Sequence, residues 1–147
     1  MSDTGVDPGQ AAQSGTHRAP LAGGVKRELG VKDDGQPGPL VLITAGLHGN
    51  EPAGVGAARR VLSELAGRPT AGRVVALAGN LGALERGERH GGQDLNRLWT
   101  EPLLRELLDQ DPTVDGPDEA ELRELHRIIQ AEREAAEAAG RDVLLLD

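Results

Sequence analysis

The chain has 147 residues, no cysteine and one aromatic residue, Trp99, which predicts about one domain with an aliphatic core and excludes disulfides and thiolate metal sites. A net charge of −8 and the lack of aromatic stacking platforms argue against nucleic acid as a partner. No apolar run is long enough for a transmembrane helix and no signal peptide is visible, so we expect a cytoplasmic protein without a membrane partner.

The N-terminal segment differs in composition from the rest of the chain. Residues 1–20 are rich in Gly, Ser, Pro and Gln and predict a disordered tail ahead of a domain at 21–147. Residues 25–32 alternate weakly between apolar and polar and predict a short edge strand. Residues 33–39 contain several Gly and Pro residues and predict a turn.

The next three segments predict a βαβ unit. Residues 40–45 are an unbroken apolar run, which is typical of a strand buried on both faces of a parallel sheet. Residues 52–66 predict an amphipathic helix with Pro52 in its first turn and Gly67 at its end. Residues 73–78 predict a second strand, and such a unit crosses over to make the two strands parallel.

The rest of the chain predicts four more segments. They are a long irregular loop, a short helix, a long helix and a third buried strand, at 79–100, 102–109, 118–139 and 142–147. Asp118 and Glu121 resemble a capping box at the start of the long helix. The expected fold class is therefore α/β, with a mainly parallel sheet and helices on its faces.

The first candidate site is the Gly-Leu-His-Gly-Asn-Glu-Pro motif at 46–52, where the first buried strand meets its helix. In open α/β sheets, ligands bind at this edge. An imidazole nitrogen of His48 and a carboxylate oxygen of Glu51 can reach one zinc ion at about 2.0–2.2 Å. On the His-x-x-Glu spacing alone, a helix cap formed by Asn50 or Glu51 with a satisfied turn histidine is the better explanation, because that spacing is common. The surrounding His-Gly-Asn-Glu-Pro context shifts the balance toward a ligand site.

The second candidate site is the Asp-Leu-Asn-Arg motif at 94–97, with Arg89 shortly before it. Two arginines and an amide in one loop can bind a carboxylate, because guanidinium contacts carboxylate through two parallel hydrogen bonds. The alternative is a surface loop in which Arg97 pairs with Asp94 or Glu85.

The remaining histidines are weaker candidates as metal ligands. His17 lies in the predicted tail, and His126 lies on the apolar side of an amphipathic helix and is predicted to be structural. His90 has no acidic residue at ligand spacing.

Taken in order, and with Gly79–Asn80 between them, the two motifs resemble the succinylglutamate desuccinylase/aspartoacylase family of zinc carboxypeptidase-like metallohydrolases, from about residue 25 onward. The resemblance implies roles for five residues: zinc ligation by His48 and Glu51, carboxylate binding by Asn96 and Arg97, and a contact near the scissile carbonyl by Arg89.

The implied function is zinc-dependent hydrolysis, with one zinc ion, of an amide or ester in a carboxylate-bearing small molecule such as an N-acyl amino acid. In the family, the third ligand is a His in an Asp-x-His context, and the general-base Glu lies further on. Asp147 ends a strand of that kind. We therefore expect the N-terminal part of a catalytic domain with an incomplete fold, a ligand His two residues beyond Asp147, no catalytic base of its own and no activity alone.

Two other functions remain open. One is a non-catalytic, small-anion-binding α/β domain that uses the glycine-rich turn 46–49 at a helix N-terminus, although neither a GxGxxG motif nor a P-loop lysine is present. The other is an interaction module that uses the acidic segment 101–142. The sequence leaves the individual substrate and the oligomeric state open.

Overall fold

The computed structural model describes residues 24–147, so the predicted tail at 1–20 and His17 lie outside the described residues. Four strands form one sheet in the order β1-β3-β2-β4. The strands are β1 (Glu28–Asp33), β2 (Gln36–Ala45), β3 (Ala71–Ala78) and β4 (Val143–Leu146).

Five α-helices and one 3₁₀ turn surround this sheet within the described range. They are α1 (Ala53–Leu65), α2 (Leu81–Arg86), α3 (Leu95–Leu98), α4 (Glu101–Asp109), the 3₁₀ turn (Pro112–Val114) and α5 (Pro117–Ala138). Among residues 24–147, no helix combines the length and the apolarity that a membrane crossing requires.

The sheet is mainly parallel, as predicted. The central strand β2 pairs in parallel with β3 on one side and with β4 on the other. Strand β1 pairs antiparallel with β3 and forms one edge of the sheet. The α/β fold class, the βαβ unit and the edge strand near residues 25–32 are confirmed.

Both faces of β2 and β3 are covered, which explains their unbroken apolar sequences. Alternate residues point to opposite faces, so each strand supplies two core layers. The layer toward α5 is formed by Leu40, Leu42, Val75, Leu77, Leu122, Leu125 and Ile129. The layer toward α1 is formed by Ala45, Val55, Ala58, Ala76, Ala78 and Leu84, with Ile43 and Leu62 packed against it.

One predicted strand boundary and one predicted loop are wrong. Strand β2 begins at Gln36 instead of residue 40, because the reversal is confined to residues 34–35, where the Gly35 N–H donates to Asp33. Pro37 and Pro39 fall in an irregular part of the β2–β3 pairing, where a missing N–H is tolerated. The predicted loop 79–100 contains α2 and α3, two short helices with little apolar periodicity.

The predicted capping pair of Asp118 and Glu121 is also wrong. Helix α5 begins earlier, with Pro117 in its first turn, and the Gly116 N–H donates to the Glu119 carboxylate at 2.7 Å. This frees Asp118 for contacts described below.

Strand β4 lies parallel to β2 as expected, but it is not a buried strand. Leu144, Leu145 and Leu146 are each more than half exposed. The reason is that β4 is the outer strand of the described sheet and pairs with β2 alone.

A buried arginine links the end of β3 to α5. Arg27 is 8% exposed and donates to the carbonyl oxygens of Ala78, at 2.7 Å, and Gly79. Its other N–H groups reach the carboxylates of Glu121 and Glu124. Arg27 therefore fixes the strand end from which the next loop departs.

Candidate functional site

A cleft of about 580 Å³ opens where the carboxyl ends of β2 and β4 meet the start of α1. Its lining includes His48 and Glu51 from the first motif, Asn96 from the second, and Asp147, which follows β4. Ligands of open α/β sheets bind at this edge, outside the carboxyl ends of the strands.

The turn between β2 and α1 is held by close backbone contacts. Gly46 has a φ of 75°, a left-handed conformation that favours glycine. A Cβ atom on Gly49 would overlap the backbone carbonyl of Ala83 in α2, so only glycine fits there. The Glu51 N–H donates to the His48 carbonyl at 3.1 Å and closes the turn.

This turn brings the two predicted zinc ligands together. His48 Nδ1 lies 3.8 Å from Glu51 Oε1. The His48 side chain is largely buried, whereas that of Glu51 is exposed to the cleft. We call these two side chains the His48–Glu51 pair.

The opposite ring nitrogen of His48 contacts Asp94, a role that the sequence did not predict. His48 Nε2 lies 2.9 Å from Asp94 Oδ1, and the same oxygen accepts from the Asn96 N–H and caps α3. The hydrogen bond from His48 holds the pKa of Asp94 below its usual value, although burial acts in the opposite direction. Because an ionised Asp94 only accepts, the Nε2 atom of His48 donates in this contact, and Nδ1 is the ring nitrogen on the Glu51 side.

Arg89 lies beside the same groups. Its guanidinium is half-exposed, with Nη1 3.5 Å from Glu51 Oε1 and Nη2 3.4 Å from Asp94 Oδ2. Its carbonyl accepts from the Gly49 N–H at 3.3 Å. Arg89 therefore spans two acids at long distances and keeps N–H groups exposed toward solvent.

The second motif is only partly directed at the cleft. Asn96 lines the cleft, whereas Arg97 is exposed and is not among the lining residues. Neighbouring residues on a helix point in directions about 100° apart, which accounts for the difference. The alternative of a pair between Arg97 and Asp94 or Glu85 has no counterpart among the ion pairs of residues 24–147.

The last residue of the chain lies at the same edge as His48. Thr44 donates to Asp147 Oδ1 at 3.1 Å, and Asp147 lines the cleft. The parallel register places Ile43 opposite Leu146. Asp147, the position after β4, therefore lies beside the last residues of β2.

His126 lies away from this edge, on α5. It is partly buried, and burial holds its pKa below the ordinary histidine value. Its Nε2 lies 3.1 Å from Gln130 Nε2, in a separate cleft lined by Trp99 and Leu104. His126 therefore lies apart from the His48–Glu51 pair.

The chemistry of the His48–Glu51 pair fits two of the three protein positions in a catalytic zinc site. Imidazole nitrogen and carboxylate oxygen are zinc ligands, and two such atoms on a tetrahedral ion lie roughly 3.4 Å apart, close to the observed separation. A carboxylate on the far nitrogen, here Asp94, fixes the orientation of a ligand imidazole. Within residues 24–147, no third His, Cys, Asp or Glu completes a metal-binding group.

Comparisons with known proteins give one consistent result. Residues 37–142 match the sequence profile of the succinylglutamate desuccinylase/aspartoacylase catalytic domain. The chain is 42% identical over 74 residues to a succinylglutamate desuccinylase of Pseudomonas paraeruginosa, a match covering 48% of this chain and 21% of that protein. It is 45% identical over 62 residues to one of Pseudomonas putida, covering 40% of this chain and 18% of that protein. The chain thus spans about a fifth of these relatives.

A solved structure shares the fold. The crystal structure of the succinylglutamate desuccinylase from Chromobacterium violaceum superposes with a TM-score of 0.55 and 23% sequence identity. The superposition covers 76% of this chain and 32% of the other.

Proposed function

The chain belongs to the succinylglutamate desuccinylase/aspartoacylase family, and we propose that it carries part of the active site of a zinc-dependent deacylase. The substrate class is a carboxylate-bearing small molecule with a hydrolysable amide or ester, such as an N-acyl amino acid. The relatives' name, succinylglutamate desuccinylase, supports an acyl amino acid. The observation that carries the proposal is the 3.8 Å approach of His48 Nδ1 and Glu51 Oε1 in the cleft.

His48 and Glu51 are proposed to hold the single zinc ion. The third ligand and the general base would come from outside the residues described, because those residues contain no third ligand at the pair. When bound, zinc would supply Lewis-acid polarisation of the acyl carbonyl and an acidified water.

The other residues of the site would bind and orient the substrate. Arg89 would turn from Glu51 and Asp94 toward the developing oxyanion, because its contacts to both acids are long and it is half-exposed. Asn96 would donate its amide to the substrate's carboxylate within the cleft. Arg97, exposed on the next position of α3, would close over that carboxylate from the solvent side.

The alternatives have less support. In the turn 46–49, the Gly49 N–H already donates to the backbone carbonyl of Arg89. The carboxylate of Glu51 would also repel an anion at the start of α1. In the acidic segment 101–142, several carboxylates are occupied internally, for example by Arg27 and Arg123. Neither feature favours an anion site or a charged partner surface.

Zinc titration of the purified chain by calorimetry tests the proposal. We expect one weak site, because residues 24–147 supply only two ligands, and we expect loss of that site in His48→Ala and Glu51→Gln. Glu64→Gln is the matched control, since it removes an exposed carboxylate of α1 that pairs with Arg60. Equal zinc binding by His48→Ala and the wild-type chain would overturn the proposal.

Deacylation assays test the site further. The chain alone is expected not to hydrolyse N-succinylglutamate or N-acetylaspartate; turnover with stoichiometric zinc would show that the site is complete. In an active form that contains this chain, Arg97→Ala should raise KM about tenfold or more, because a charge-assisted carboxylate contact is lost. Arg97→Lys should not restore KM, since a point charge does not reproduce two parallel hydrogen bonds. Unchanged kinetics would remove Arg97 from the site.

A further inference from the structure

Asp118 is a buried carboxylate in the first turn of α5, and its side chain is 3% exposed. It accepts hydrogen bonds from the backbone N–H of Gly91 at 2.8 Å and of Gln93 at 2.7 Å. A third hydrogen bond comes from Asn80 Nδ2 at 2.6 Å. A buried charge is costly unless it is hydrogen-bonded, and these three donors offset that cost. What remains to be explained is why a carboxylate is buried at this place.

The partners of Asp118 belong to the loop that leads into the second motif. Burial raises the pKa of Asp118, but the N–H groups of Gln93 and Gly91 and the Asn80 amide together hold it below the usual value. The carboxylate is therefore ionised and clamps the loop through N–H groups. It does not cap α5 itself, because Glu119 bonds the Gly116 N–H.

The clamped loop, residues 88–94, carries two side chains of the candidate site. Arg89 lies at its start and Asp94 at its end, on either side of Gly91 and Gln93. The loop is packed closely on α5, since a Cβ on Gly91 would lie 3.2 Å from both Asp118 carboxylate oxygens. Fixing the middle of so short a loop restricts both of its ends.

We propose that Asp118 is a positioning residue that holds the loop so that Asp94 stays on His48 Nε2 and Arg89 stays beside Glu51. Its role in the loop stands on the contacts above. Its consequence for zinc rests on the proposed function.

The test compares Asp118→Asn with Glu119→Gln by nuclear magnetic resonance. Both changes remove one charge from the first turn of α5, but a glutamine at residue 119 can still cap the helix. We expect amide hydrogen exchange at Gly91 and Gln93 to rise at least tenfold in Asp118→Asn and to stay near the wild-type rate in Glu119→Gln. The signal of the His48 Nε2 proton should weaken or disappear in Asp118→Asn alone.

Two results would overturn the proposal. One is unchanged exchange at Gly91 and Gln93; the other is faster exchange with an unchanged His48 proton signal, which would make Asp118 only a structural anchor. If Asp118→Asn does not fold, Asp118→Glu replaces it: the charge is kept, but the tight packing at Gly91 leaves no room for another methylene. The same two signals should change in that variant.

Zinc affinity, measured alongside, separates this proposal from the proposed function. We expect the zinc affinity of Asp118→Asn to be about tenfold lower than that of the wild-type chain. This is the lower end of the range for changing residues that orient a metal ligand. If the wild-type chain binds no zinc while both resonance signals change as expected, the zinc proposal fails and the positioning role stands. If zinc binds as proposed and both signals are unchanged, the positioning role fails alone.

Discussion

Asp94→Asn isolates the contribution of the carboxylate that contacts His48. The substitution keeps the side-chain shape and a good N-cap for α3, because asparagine caps helices as well as aspartate does. What it removes is the charge facing His48 Nε2 at 2.9 Å, in a contact where both side chains are at most 13% exposed. The asparagine can still offer a neutral oxygen to His48.

The size of the effect follows from that difference. A hydrogen bond to a charged group contributes about 1.5–3 kcal/mol, and a neutral one about 0.5–1.5 kcal/mol. A loss of about 1–2 kcal/mol in the orientation and basicity of the imidazole corresponds to affinity at the proposed zinc site that is weaker by about 5–30-fold. This range overlaps the effect of changing the carboxylates that orient ligand histidines in known metal sites.

Competition between the chain and a chromophoric chelator measures this affinity. Asp111→Asn is the matched control: Asp111 also caps a short helical turn, through the Thr113 N–H at 2.9 Å, but it lies away from His48. The control should bind zinc like the wild-type chain. Equal affinities for Asp94→Asn and Asp111→Asn would refute the idea that Asp94 orients His48.

Three further predictions concern stability, each measured by urea denaturation. Gly49→Ala should lower the free energy of unfolding by at least about 2 kcal/mol, because its Cβ overlaps the backbone of α2, whereas Gly56→Ala, in open space on α1, should raise it by about 0.5–1 kcal/mol. Arg27→Ala should lower the free energy of unfolding by about 3 kcal/mol or more, since it leaves buried partners unpaired. Glu124→Gln changes a half-exposed partner and should lower the free energy of unfolding by less than about 1 kcal/mol. Equal losses in the two variants would contradict this account. The lowered pKa of Asp118 implies that its stabilisation is present above its unfolded pKa, near 3.8, and is lost as the pH falls through the lower folded value. The stability difference between wild type and Asp118→Asn should therefore shrink in acid, and a constant difference would contradict the assignment.

The sheet could be predicted from the sequence because its central strands are buried on both faces. Unbroken apolar runs at 40–45 and 73–78 leave little alternative for segments of that length. Helices α2 and α3 were missed because they are only six and four residues long. Each helix begins at a capping side chain, Asn80 or Asp94, and asparagine and aspartate are also common in loops.

The candidate site could likewise be predicted only where its contacts join residues that are close in the sequence. His48 and Glu51 lie in one turn, so their approach depends on local spacing that the sequence displays. The contact between His48 and Asp94 joins residues 46 positions apart, and that between Asn80 and Asp118 joins residues 38 apart. Neither leaves a periodic pattern, because both depend on where the loop packs against α5.

The alanine-rich layer between α1 and the sheet has a consequence for how the site can vary. Ala45, Ala58, Ala76 and Ala78 are all buried there. At the end of the layer, a Cβ on Gly54 would lie 3.5 Å from that of Ala45. His48 follows β2 and Glu51 lies just before α1, so the helix-to-sheet distance that these small side chains permit fixes where α1 begins relative to the end of β2. A larger side chain in this layer would push α1 away from the sheet and would displace the turn that carries the His48–Glu51 pair.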